Sequence, residues 1–285
     1  MARFRSPASD RRQLATSLRA LREGAELSLE DAASRALDAS AAKLSRIETG
    51  KQIAGPRDVR DLCHLYGVDE AQTAALVELA SFAREAGWWE AYDIHLDDYI
   101  GLETAASRIQ QFENSVVPGL LQTKSYAAEY LEKSVNHGRP TQRNKSEIQE
   151  FLKMQHIRQK IVAPDSGVEF AFVLDEAALR RAVGGAEMRS QVAHIMQVAQ
   201  YPNVRIQVLP LSIGASPGQQ GGFTVLTLPA DVPNVAYVET LAGFMLLESA
   251  EELSRFKTLF EVLQKFCPDE ARTLEELARI LRELP

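Results

Sequence analysis

Cysteine is nearly absent: Cys63 and Cys267 are the two thiols in 285 residues, each inside an apolar helical pattern. Two cysteines so far apart make no disulfide framework, and neither stands in a Cys-x-x-Cys pair. They read as buried, reduced thiols of a cytoplasmic protein. Histidine is sparse too. His64, His95, His137, His156 and His194 show no metal spacing such as His-x-x-x-His, so no metal site is expected. There is no Gly-x-Ser-x-Gly, and the glycine-rich run Gly214–Gly222 lacks the Lys-Ser/Thr of a phosphate loop. Asp175-Glu176 reads as the acidic start of a helix rather than a catalytic acid pair. With no catalytic constellation, neither an enzymatic activity nor a cofactor is expected. Long apolar runs are missing as well, none approaching the roughly 20 residues of a membrane span. Met1–Asp10 is basic without an apolar core and is no secretion signal. These absences predict a cytoplasmic protein with no membrane partner.

What is present is an ordinary globular composition, 45% hydrophobic and 25% charged. At roughly 150 residues per domain, the length predicts two domains. The charge is unevenly spread. Residues 1–67 hold 12 Lys and Arg against 9 Asp and Glu, and the rest hold 20 against 30, so the net −7 divides into +3 and −10. Any polyanionic partner should therefore meet the N-terminal end.

The periodicity predicts a flexible basic arm over 1–10, a helix-turn-helix DNA-binding domain over 11–86 and an α+β regulatory and dimerisation domain over 87–285. The arm carries Arg3 and Arg5 and either reaches DNA phosphates or stays solvated. Ser9 or Asp10 is the predicted cap of a first helix with Leu14, Leu18 and Leu21 at helical spacing, ended by Gly24. Ser28 caps a second helix, with Asp31 three residues on completing a capping-box-like pair. Leu37-Asp38-Ala39 is the turn, and aspartate is among the few residues that tolerate a left-handed conformation there. Ser40 is the predicted cap of a third helix, which points Leu44 and Ile47 inward and closes at Thr49-Gly50. Pro56 opens a fourth helix, stopped at Gly67, and Asp69–Glu85 forms a fifth. Five short helices with a tight turn between the second and third make a helix-turn-helix domain.

Beyond Gly87 the sequence predicts helices at about 101–115, 122–134 and 142–161. A strand Val168–Leu174, a helix over about 176–200 and a strand Val204–Leu209 then form a β-α-β unit. Phe223–Leu228 and Val235–Leu241 read as a hairpin, and two helices, about 248–266 and 269–283, end the chain. The fold class is mainly α with a smaller β component, a sheet of about four strands. Trp88, Trp89 and Tyr92 read as packing between the domains rather than a ligand cage. Gly214–Gly222 reads as a loop between strands rather than a lid.

In a helix-turn-helix the start of the second helix of the pair faces base edges in the major groove. Here that places Ser40, Ala41, Ala42 and Lys43 against bases, with Lys43 matched to guanine and an alanine to a thymine methyl. Ser45, Arg46, Thr49, Lys51 and Gln52 are placed for phosphates, as are the backbone amides at the Ser28 helix start. The run Ser40-Ala-Ala-Lys-Leu-Ser-Arg-Ile-Glu-Thr-Gly50 resembles the recognition helix of phage-repressor (XRE/Cro) regulators, and the likeness extends over residues 14–67. Asp38 stands where that family commonly has a turn glycine. The resemblance implies that Arg22, late in the first helix, pairs with Glu48 to fix the helices to one another.

The second domain resembles that of WhiJ-like regulators of sporulating filamentous bacteria. The residues that carry this are Gly87-Trp-Trp-Glu90, Gly101-Leu-Glu103, Val117-Pro-Gly-Leu-Leu-Gln-Thr123, Leu174–Gly185, Ile206–Pro210 and Tyr237-Val-Glu239. The resemblance implies a transcription regulator whose second domain receives a signal, often beside a small partner protein in an antitoxin-like arrangement. The expected partners are double-stranded DNA, a second copy of the chain and a small, basic protein that binds residues 87–285. In one reading the protein regulates transcription as a homodimer on a near-palindromic operator. In the other it sequesters that small partner, and DNA binding serves autoregulation.

Overall fold

The computed structural model describes residues 6–92, 97–135, 145–240 and 243–284. The chain divides into two compact units, one of Met1–Ala105 with Leu228–Pro233, the other of Ala106–Thr227 with Asn234–Pro285.

The first unit is helical. Its elements are α1 (Pro7–Gly24), α2 (Leu29–Leu37), α3 (Ala41–Glu48), α4 (Pro56–Leu65), α5 (Glu70–Ala83), a 3-10 turn Trp88–Ala91 and α6 (Asp97–Ala105). Each boundary has a local cause. Ser28 Oγ accepts from the Asp31 amide at 3.1 Å, and Asp69 accepts from that of Gln72 at 2.8 Å. Asp38 takes the left-handed conformation, φ 46, that lets α2 turn sharply into α3. Pro56 occupies the first turn of α4, where a missing N–H costs nothing. Leu14, Leu18, Ala33, Leu44, Ile47, Val59, Leu62, Cys63 and Leu79 then close a single core.

Three expectations are corrected here. The cap of α1 is Ser6, not Ser9 or Asp10, because Pro7 has the fixed φ a first helical position wants; Ser9 and Asp10 are buried inside the helix. Residues 7–10 of the expected arm are thus helical, while Arg3 and Arg5 lie outside the described residues. Ser40 holds the cap position of α3 without a side-chain hydrogen bond. Trp89 is buried, and a Cβ on Gly101 of α6 would come 2.7 Å from its ring and 2.4 Å from Ala8 of α1.

The second unit is built on a six-stranded sheet of order β3-β2-β1-β4-β5-β6. Its strands are β1 (Arg108–Glu113), β2 (Glu169–Asp175), β3 (Val204–Leu209), β4 (Phe223–Thr227), β5 (Val235–Thr240) and β6 (Gly243–Leu247). Strands β1, β2 and β3 are parallel, and β1, β4, β5 and β6 follow one another antiparallel. Helices α7 (Lys124–Val135), α8 (Lys145–Gln159), α9 (Glu176–Arg180) and α10 (Gly185–Val198) connect the parallel strands; α11 (Ala250–Phe266) and α12 (Glu270–Glu283) end the chain. On one face Phe112, Val173, Phe223, Val225 and Ala236 pack beneath Phe260 and Leu263 of α11.

The expected β-α-β unit is present with its parallel pairing, and the hairpin is antiparallel. Two strands were not expected, so the sheet has six rather than about four. The helix expected at 101–115 ends at Ala105, and its second half is β1, paired on both sides. Ile109 and Phe112 stand three apart and mimic a helical stripe. In a strand they point to opposite faces, and both are fully buried because the sheet is covered on both faces. The helix expected over 176–200 is broken between Arg180 and Gly185. Among the described residues, no helix is long and apolar enough to cross a membrane.

Candidate nucleic-acid interface

Helix α3 is anchored by one side and open on the other. Leu44 and Ile47 are buried, and Glu48 is 7% exposed. Arg22 of α1 grips Glu48 with two parallel bonds, Nε to Oε1 at 2.8 Å and Nη2 to Oε2 at 2.9 Å, and its Nη1 donates to the Leu27 carbonyl at 2.8 Å. The hydrogen bond to Glu48 holds the guanidinium even further above its ordinary range. A planar fork on a carboxylate fixes both position and rotation, so this pair orients α3 on α1. Burial pushes the neighbouring Tyr66 phenol up as well, with the Glu48 charge adding to it.

On the outer side, Ser40, Ala42, Arg46, Thr49 and Lys51 are exposed, and Ala41, Lys43, Ser45 and Gln52 are half-buried. Ala42 and Arg46 stand one turn apart on the same stripe. Arg46 is steadied by the loop, donating from Nε to Gln52 Oε1 at 3.3 Å. Thr49 Oγ1 donates to the Ser45 carbonyl at 2.7 Å, tightening the last turn. Lys43 is engaged: its Nζ lies 3.2 Å from Asp58 Oδ2 of α4, both about one-third exposed. At the expected phosphate site the Ser28 hydroxyl donates to Asp31 Oδ2 at 2.6 Å, and Glu30 and Asp31 lie in the first turn of α2.

Sequence reasoning missed Asp58, and with it the exposed Arg57 and Arg60 on α4. The signal available was Pro56-Arg-Asp-Val-Arg60, a helix start whose third residue faces back toward the preceding helix.

The second unit binds its own polar groups tightly. Asp175 caps α9, accepting from the Ala177 amide at 2.8 Å, and burial raises its carboxyl. Glu176, 4% exposed, accepts from Arg180, Arg279 and the Leu211 amide at 2.7, 2.9 and 2.9 Å. Burial alone would raise that carboxyl; the three donors more than offset it and hold it low. The Val117–Thr123 run is stitched in place by glutamine amides. Gln155 Nε2 donates to the Gly119 carbonyl and to Gln122 Oε1, and Gln191 Nε2 donates to the Leu121 carbonyl. Burial pushes both thiols up, Cys267 to about 12. Neither is a ready thiolate. Among the described residues no group of three or more His, Cys, Asp and Glu is placed to hold a metal ion.

Two family matches agree with this division. Residues 13–76 match a family described as "Helix-turn-helix domain", and residues 96–279 match one described as "Domain of unknown function (DUF5753)". The chain thus carries an N-terminal helix-turn-helix domain, which marks it as a DNA-binding regulator. No curated protein and no solved structure matches it.

Proposed function

The chain belongs to the family described as "Domain of unknown function (DUF5753)", and from that and the helix-turn-helix domain ahead of it we propose a sequence-specific transcriptional regulator of the XRE/Cro kind. It acts as a homodimer on a near-palindromic operator, and residues 87–285, of the WhiJ-like type, receive a signal. The observation that carries this reading is α3 itself, locked inward by Leu44, Ile47 and the Arg22–Glu48 fork while Ala42, Arg46 and Thr49 face out together.

Arg46, Thr49, Lys51 and Gln52 contact phosphates, and Ser40 to Lys43 meet bases. Lys43 reaches a guanine only by leaving Asp58, so the pair acts as a gate: phosphates crowding the interface weaken Asp58's hold while the base offers two acceptors. Residues 68–285, with a net charge of −10, suit a small basic protein as the signal. A role without catalysis is supported by Asp175 and Glu176 being spent on a helix cap and an ion-pair cluster.

Quantitative DNA binding with salt titration tests the reading. Lys43→Ala should flatten the preference among bases, with a loss of roughly 1–3 kcal/mol confined to the best site. Lys51→Ala should weaken all sites alike and lower the salt slope by about one. Equal effects of both substitutions on all sequences would contradict base reading by α3.

A further inference from the structure

Among the described residues, four large apolar side chains stand exposed: Leu211, Phe244, Met245 and Phe266. Two of them are neighbours on β6, the outermost strand of the sheet. The opposite edge, β3, has α12 packed against it. Natural sheets blunt a free edge with lysine, proline, bulges or inward charges. Strand β6 reads Gly-Phe-Met-Leu-Leu and has no charge and no proline.

Both of its faces carry apolar surface out to the edge. Met245 lies opposite Val238, on the face where Val238 and Leu247 join the core with Leu253 and Phe256 of α11. Phe244 lies on the other face, its ring stacked on Tyr237 with centroids 5.8 Å apart. The edge thus combines a row of backbone donors and acceptors with apolar side chains above and below it.

We propose that the β6 edge is the homodimer interface, where β6 of a second copy pairs antiparallel and joins the two sheets into one. The inference rests on the reading of the protein as a dimer on DNA and names the surface that makes it one. Two features select a second copy. A strand paired antiparallel with itself is twofold by construction, the symmetry that a palindromic operator requires. The strand is also self-complementary: centred on Met245, it sets Met245 against Met245, Phe244 of one copy against Leu246 of the other, and Gly243 against Leu247. Charge separates this occupant from a basic protein segment at the same edge. Strand β6 brings no charge of its own to the pairing, so salt should leave the dimer intact, whereas it would loosen a basic segment held by attraction to acidic groups.

The test uses the full chain without DNA. Directly opposed residues in an antiparallel pair have Cα atoms about 4.5–5.5 Å apart, within disulfide reach. Met245→Cys, oxidised, should give a covalent dimer, as should an equimolar mixture of Phe244→Cys and Leu246→Cys, while Leu211→Cys stays monomeric on a denaturing gel. Met245→Lys should weaken self-association in sedimentation equilibrium by about tenfold or more, since a charge enters an apolar contact. Its circular dichroism spectrum should stay that of the native chain, and the native dimer should hold as salt rises. No cross-link in Met245→Cys or in the mixture, with the dimer intact in Met245→Lys, would overturn the proposal. If that dimer still protected paired half-sites, the DNA-binding reading would stand without it. A native chain that is monomeric and protects one half-site would sink both.

Discussion

Glu48 ends α3, the helix proposed to read DNA, and its own side chain is turned inward. Its carboxylate is almost wholly buried and is spent on Arg22, which is 11% exposed at its side chain. Burying two charges is expensive, and the pair repays it only while both partners are present. Glu48→Ala takes the buried partner from the guanidinium and leaves it the Leu27 carbonyl at 2.8 Å and the half-exposed Glu23 carboxylate at 3.6 Å. We expect a loss of about 3–5 kcal/mol in denaturant unfolding of the full chain, followed by the first transition where two are resolved. At temperatures where the variant is folded, its order of preference among DNA sequences should match that of the native protein. A variant of native stability with altered sequence preference would make Glu48 a reading residue instead. The Arg22–Glu48 link was legible from a family resemblance and from nothing local, since the partners lie on different helices. Lys43–Asp58, equally non-local and with no such resemblance behind it, was not legible.

Elements whose limits are set by neighbouring residues were legible, and elements set by distant partners were not. Ser28, Asp38, Gly50, Pro56 and Gly67 each fix a helix end by cap, turn or ring geometry, and α2 to α5 lie where those residues put them. Strand β1 has no such punctuation. Its two glutamines, Gln110 and Gln111, are buried between β2 and β4, and only that pairing makes the segment extended. The end of β1 also carries a titrating group. Glu113 accepts from Gln111 at 3.0 Å, and a Cβ on Gly222 would come 2.5 Å from its Oε2, so the glycine lets the loop close over the carboxyl. Burial pushes Glu113 up to about 7, with the Glu239 charge adding and Gln111 opposing. The folded chain therefore holds this proton more tightly than the unfolded one, whose glutamate titrates near 4.5. The stability from Glu113 is complete below that pH and is lost as pH rises through about 7. Glu113→Gln should flatten the fall in stability between about pH 5 and about 8 and leave the variant the more stable at the upper end. Parallel stability curves for the two proteins would remove Glu113 from the account.

At the scale of the whole molecule, charge and symmetry divide the labour. The +3 of residues 1–67 goes with a helix-turn-helix that offers cations and small side chains, and most of the remainder's −10 lies in residues 68–105, which hold one Lys or Arg against nine Asp and Glu. Two alanines among the four residues at the start of α3 make a thin code for direct reading. In the proposed dimer, half-site spacing and DNA shape supply the rest of the specificity, and spacing requires a dimer of fixed geometry. The central claim, that α3 of a twofold dimer reads an operator, is tested most directly by selecting DNA from a random pool with the full-length protein. The account predicts enrichment of an inverted repeat with half-site centres about one helical turn apart, or a multiple of it, that is lost in Lys43→Ala. Recovery of a single unrepeated site, or of no sequence above the starting pool, would contradict it.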